Sequence, residues 1–114
     1  MPPGEEEKAR RFFRDLLGMN EEAKPEPLAS RGGCWFRSGT AIVHIGIDES
    51  FLPQHKAHPA FCIENINELA AHLERNKTSI IWDEALTNRK RFYTMDPFGN
   101  RIEFIQVGDG FGDQ

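Results

Sequence analysis

The sequence reads as one pattern written twice. His44 and Glu103, each a polar residue between apolar neighbours, lie 59 positions apart, and Leu16 and Leu73, on two segments of helical spacing, lie 57 apart. Each half supplies a helix, an extended polar-flanked segment and a strand–turn–strand pair. A repeat of that period is too long for a small solenoid unit, and the order of elements reads as a tandem βαβββ arrangement. A chain of 114 residues suits a single domain core. The expectation is therefore an α+β fold in one domain, with a first module over about residues 1–52 and a second over about 56–107.

The local signals follow the repeat. Glu5 to Met19 predicts an amphipathic helix, with Ala9, Phe12, Phe13, Leu16 and Leu17 on one face, acids at its positive end and Gly18 as its stop. After a polar stretch holding Pro25 and Pro27, strands are expected at Cys34–Arg37 and Thr40–Ile47, joined by Ser38-Gly39. In the second half a strand over Ala57–Ile63 precedes a helix over Ile66–Asn76, capped by Asn65. Three strands follow at Thr78–Asp83, Lys90–Met95 and Arg101–Val107, the last two joined by Asp96-Pro97-Phe98-Gly99-Asn100. No strand candidate precedes the first helix, so the first module lacks its opening strand. The Gly- and Asp-rich tail, 108–114, predicts disorder; its glycines are not a phosphate loop, because no helix follows them.

Composition narrows the function. The net charge of −4 and the short, locally offset basic clusters argue against a nucleic-acid partner. No apolar run approaches the length of a membrane span, and the start of the chain has neither the charge nor the apolar core of a signal peptide. Cys34 and Cys62, with no close pairing and each in a strand-like run, predict buried reduced thiols and a cytoplasmic setting.

The candidates for chemistry are His44, His58 and Glu103, all placed by the pattern on strands. A strand carboxylate among apolar neighbours needs a partner. Two imidazoles and a carboxylate are a set used by catalytic zinc and non-haem iron. The competing reading is structural: a hydrogen-bonded histidine, and a Glu103 paired with Arg91 or Arg101. His55 and His58, three apart on a strand, would face opposite sides and share no metal. His72 falls on the polar side of its helix.

His58-Pro59-Ala60-Phe61 ahead of a helix, followed by Arg91-Phe92-Tyr93-Thr94-Met95-Asp96-Pro97-Phe98-Gly99-Asn100-Arg101-Ile102-Glu103-Phe104, resembles the second module of the vicinal-oxygen-chelate proteins. That is the glyoxalase, bleomycin-resistance and extradiol-dioxygenase group. Phe12-Phe13-Arg14-Asp15-Leu16-Leu17-Gly18 is similar to the end of the group's first helix, and the likeness runs from Gly4 to Gln106.

The resemblance implies a curved mixed sheet around an open cup holding a divalent metal: zinc, nickel, manganese or iron. It implies metal ligands at His58 and Glu103. His44 falls where glyoxalases of the group use a carboxylate, and the fourth usual ligand would lie on the missing strand. It further implies roles for Tyr93 as a donor to an oxyanion and for Arg91 as a clamp on a carboxylate or phosphonate, with Glu103 and Tyr93 as catalytic candidates. Two functions stay open. One is a metal-dependent lyase, isomerase, thiol transferase or dioxygenase acting on a small oxygenated molecule. The other is a metal-free module that sequesters a small ligand. Pairing of modules between chains, common in the group, together with an uncovered sheet edge predicts a homodimer.

Overall fold

Two sheets carry the fold, one for each repeat. The computed structural model describes residues 1–85 and 89–107, and the expected disordered tail lies outside the described residues. The chain divides into two compact units, Met1–Pro53 and Gln54–Gln114.

In the first unit the opening helix α1 (Glu6–Ala9) runs straight into a π-helical stretch, Arg10–Leu16. The wider π turn differs from the plain amphipathic helix that the spacing predicts. Its physical reason lies in two adjacent rings. Phe12 and Phe13 are both buried and meet edge to face at 5.0 Å, and a wider turn narrows the angle between neighbouring side chains so that both enter the core. Leu16 and Leu17 reach only half burial. Gly18 ends the helix at φ 78°, in the left-handed region where glycine carries no steric penalty.

Phe13 then stacks on Phe36 at 5.4 Å, joining the helix to an antiparallel sheet. Its strands are β1 (Asn20–Glu22), β2 (Cys34–Ser38) and β3 (Ala41–Ile45), in that order. β1 falls in the stretch that the pattern left as a polar connection. Asn-Glu-Glu has no apolar alternation, and it is held by its ladder to β2 and by ion pairs, Glu21 with Arg10 at 3.0 Å and Glu22 with Arg37 at 2.9 Å. Along β2, Cys34 and Phe36 are buried while Trp35 and Arg37 point to the other face.

Among the described residues no strand lies beyond β3. Just past the end of that edge, Met1 pairs with the backbone of Gly46 and Asp48. Its ammonium donates to Gly46 C=O at 2.7 Å and its carbonyl accepts from Asp48 N–H at 2.9 Å, one rung of a parallel ladder.

The second unit has the full pattern. β4 (Ala60–Ile63), α2 (Ile66–Arg75), β5 (Ile81–Asp83), β6 (Arg91–Met95) and β7 (Arg101–Gln106) form a sheet ordered β4-β7-β6-β5. β4 runs parallel to β7 and the other pairs are antiparallel. Asn65 caps α2 through Glu68 N–H at 3.3 Å, as its sequence position predicts, and Gln106 Oε1 accepts from Ile66 N–H at 2.9 Å. Ile66, Ala70 and Leu73 form the buried stripe of α2, and Phe92 packs with Phe104 at 5.4 Å in the core of this unit.

The Asp96–Asn100 connection owes its residues to one buried carboxylate. Asp96 Oδ1 accepts from Phe98 N–H at 2.9 Å and Asn100 N–H at 2.8 Å, and Oδ2 accepts from Asn100 Nδ2 at 2.9 Å. Those bonds offset the cost of burying it. Gly99, at φ 87°, completes the turn. This is an α+β fold of tandem βαβββ pattern, in which no strand precedes α1 among the described residues.

Candidate functional site

The site grows from the face of β7 turned away from α2. Alternation puts Arg101, Glu103 and Ile105 on that face, and the ladder sets Tyr93 opposite Glu103 and Asp83 opposite Arg91. β4 begins at Ala60 rather than Ala57, so His58 sits just ahead of the strand and not on it. Pro59 lacks an N–H to extend the ladder, but its carbonyl accepts from Glu103 N–H at 3.0 Å. That bond holds the approach segment beside β7.

His58 is fixed from both ends. Nδ1 donates to the Lys56 carbonyl at 3.0 Å, which turns Nε2 toward Glu103 Oε1, also at 3.0 Å. With the Nδ1 proton committed to that carbonyl, Nε2 presents a lone pair to a carboxylate. The contact is attractive only when a proton or another cation lies between them. Glu103 is 6% exposed. Its second oxygen accepts from Arg91 at 3.2 Å, and Arg91 reaches on to Asp83 Oδ2 at 2.9 Å.

Arg91 is thus a bridge between two carboxylates. Burial opposes its charge, but the bonds to Glu103 and the nearby anions outweigh that and raise its pKa. Asp83 is held below its ordinary value, first by the Ala85 N–H that donates to it, against the opposing effect of burial, and then by Arg91, Tyr93 and Arg101. The Tyr93 ring is the platform of the cluster. Arg101 lies 4.5 Å over it, Arg91 5.6 Å, and His58 meets it edge-on at 5.4 Å.

Of the predicted site residues, the structure brings His58, Glu103, Arg91 and Tyr93 together. His44 belongs to the first unit, exposed on β3, where it stacks on Trp35 with ring centroids 3.9 Å apart and planes 5° off parallel. Among the described residues no group of three or more His, Cys, Asp or Glu is set to hold a metal. Glu103 does pair with an arginine, and it is Arg91. His55 Nε2 lies 3.1 Å from the Gly99 carbonyl, away from Glu103. Cys34 is buried, and burial pushes its thiol up. Cys62 is exposed, contrary to the expected buried thiol, because it alternates onto the face that α2 does not cover. Asp83 and Arg101 belong to the cluster and were missed. Strand parity carried the signal for Arg101, two residues from Glu103; Asp83 required the β5–β6 register.

This fold and cluster define a class: proteins of tandem βαβββ modules with a buried carboxylate and an imidazole on the uncovered face of the second module. No family model matches the sequence, and no curated protein matches it. Solved structures do. A protein from Bacillus anthracis assigned to the glyoxalase family is 45% identical over 95% of this chain and 88% of its own, with a TM-score of 0.92. A glyoxalase/dioxygenase from Nostoc punctiforme shares the fold at 18% identity, TM-score 0.77, over 96% of this chain and 88% of its own. An antibiotic binding protein from Streptomyces does so at 17% identity, TM-score 0.71, over 95% and 91%. The chain belongs to the glyoxalase/bleomycin-resistance/dioxygenase superfamily, the vicinal-oxygen-chelate proteins.

Proposed function

We propose that the protein is a metal-dependent enzyme acting on a small oxygenated molecule, with His58 and Glu103 as metal ligands. The observation that carries this reading is the His58–Glu103 contact, in which Nδ1 is tied to a backbone carbonyl and Nε2 faces a carboxylate at 3.0 Å. This is the outer-sphere arrangement that prepares an imidazole for a cation. One nitrogen and one oxygen donor suit zinc, nickel, manganese or iron, with the remaining positions left to water or substrate. A cation held there would act as a Lewis acid toward a substrate oxygen.

The chain's own residues do the remaining work. Arg91 holds Glu103 in place through the bond at 3.2 Å, so the geometry supports a positioning role for it in place of the expected substrate clamp. Tyr93 supports the His58 ring, and its hydroxyl would donate a hydrogen bond to an anionic oxygen of the substrate. Reaction type stays within isomerisation or lysis of an adduct, thiol transfer and ring cleavage.

A second reading has its own observation. Both Glu103 oxygens already have protein partners, which suits a metal-free module that only holds a small ligand. Calorimetric titration with zinc, nickel, manganese and iron(II) separates the two. The enzyme reading expects one site per chain, weakened at least tenfold in His58→Ala and in Glu103→Ala. Absence of binding, or equal affinity in those variants, supports the sequestering reading.

Assembly is part of the proposal. The uncovered β3 edge favours a homodimer, and sedimentation equilibrium at micromolar concentration should give twice the 13.0 kDa chain mass; a monomer contradicts it. No described helix is long and apolar enough to cross a membrane. The absence of a near cysteine pair supports a cytoplasmic setting.

A further inference from the structure

We infer that Asp83 is a positioning residue of this site: by holding one terminal nitrogen of Arg91, it stops that guanidinium from closing on both oxygens of Glu103 and keeps Glu103 Oε1 turned to His58. The inference rests on the proposed site at His58 and Glu103 and adds a residue that acts on it through Arg91.

An arginine beside a carboxylate frequently pairs with both of its oxygens, fork to fork. Arg91 and Glu103 do not pair in that way. Arg91 Nη1 donates to Glu103 Oε2 at 3.2 Å, while Nη2 donates to Asp83 Oδ2 at 2.9 Å, the shorter of the two bonds. Arg91 Nε is buried without a hydrogen-bond partner among the described residues, so the two terminal bonds set the plane of the guanidinium. Glu103 Oε1 is thereby left to His58 Nε2, at 3.0 Å.

Asp83 is itself anchored. It ends β5 and lies opposite Arg91 in the β5–β6 register, so the two side chains leave the sheet on one face. Oδ1 accepts from Ala85 N–H at 2.8 Å, which fixes the carboxylate with Oδ2 toward Arg91. The side chains of Asp83, Arg91 and Glu103 are 25%, 19% and 8% exposed, so these pairs are not of the solvated kind that contributes little. Without a charge at residue 83, the buried Glu103 is the strongest acceptor left to Nη2, and the fork closes on it. Oε1 then holds an N–H donor, which competes with any cation beside His58 Nε2.

Crystal structures of wild type and Asp83→Asn, both grown with a chelator, test this without metal. The variant is expected to show Arg91 bonded to both oxygens of Glu103, with Oε1 withdrawn from His58 Nε2. An Arg91 that keeps its single bond to Glu103 overturns the inference. If Asp83→Asn does not fold, Asp83→Ser takes its place with the same expectations. Calorimetric zinc titration gives a second readout. Asp83→Asn should weaken binding by about tenfold to hundredfold, the usual effect of losing an outer-sphere partner, and Asp83→Glu, which keeps the carboxylate, should restore most of it. In an Arg91→Lys background no fork can form, and there Asp83→Asn should change the affinity by less than about twofold. An equal loss in both backgrounds contradicts the inference, because Asp83 would then act without Arg91. The two claims fail separately: a wild type that binds no zinc removes the metal reading, while the metal-free structures still decide the role of Asp83.

Discussion

β3 and β7 occupy the same place in the two repeats and have opposite surroundings. Trp35 faces His44 across the β2–β3 ladder as Tyr93 faces Glu103 across β6–β7, so the repeat extends to the aromatic partner. Yet β7 has neighbours on both sides and four consecutive buried residues, whereas β3 has a neighbour on one side and none buried. Met1 faces β3 only where Ile63, the last residue of β4, faces β7: Asp48 N–H bonds to Met1 as Val107 N–H bonds to Ile63. The number of flanking strands among the described residues therefore bears on more than hydrogen bonding. A strand flanked on both sides can bury a carboxylate, and burial makes its bonds to His58 and Arg91 strong. His44, on the open edge, is left to stack on Trp35 beside solvent. The lesson is that matched sequence positions acquire chemistry only where the sheet around them is complete.

Hydrogen exchange should show the largest contrast. Gly46 C=O and Asp48 N–H point outward to Met1, so alternation turns the backbone groups of Ile42 and His44 outward too, with no strand to receive them among the described residues. In the monomer, at concentrations below dimer formation, their amides should exchange nearly unprotected. Those of Glu103 and Val107, bonded to Pro59 and Ile63, should be protected by about 5 kcal/mol or more. Comparable protection on both strands would mean that something covers β3, and if it appears only at high protein concentration, that a second copy does.

Core truncation comes next. Phe92 is fully buried, and Phe92→Ala should cost about 3–5 kcal/mol in chemical denaturation. Leu16 is half exposed, so Leu16→Ala should cost only about 1 kcal/mol, below the range for buried leucines. A loss at Leu16 equal to that at Phe92 would show that the first helix is covered in solution. His44→Ala removes a stacked cross-strand pair and should cost about 0.5–1 kcal/mol; a larger loss would assign His44 more than its stacking.

The smallest effect is a pH dependence in the first unit. Gly33 N–H donates to Glu6 at 3.1 Å and is the main cause of holding its carboxyl below the ordinary 4.5. A depressed folded-state pKa contributes stability that is fully present above that value and lost as pH falls through the folded one. Acid titration of stability below 4.5 should therefore be shallower in Glu6→Gln than in wild type, and identical curves would remove Glu6 from the account.

Much of this was legible in the sequence. The repeat, the Asn65 cap and the Asp96 turn each rest on local chemistry that a few residues state. The cluster was half legible. His58, Glu103, Arg91 and Tyr93 were found through motif and parity, whereas the bridge from Arg91 to Asp83 depends on a register between strands joined by a long connection. β1 was missed because Asn20-Glu21-Glu22 carries no apolar alternation and pairs through its neighbours. The π turn depends on both Phe12 and Phe13 entering the core, which periodicity cannot specify.

The central claim is that the His58–Glu103 contact is a prepared cation site. Two-bond nitrogen–proton spectra of the imidazoles, recorded while zinc is added, test it most directly. The account predicts a proton on His58 Nδ1 throughout, and a zinc-dependent shift confined to His58 Nε2 and the Glu103 carboxyl carbon, with His55 and His72 unmoved. A His58 that keeps its spectrum at saturating zinc, or zinc shifts that fall on His55 or His72, would contradict it.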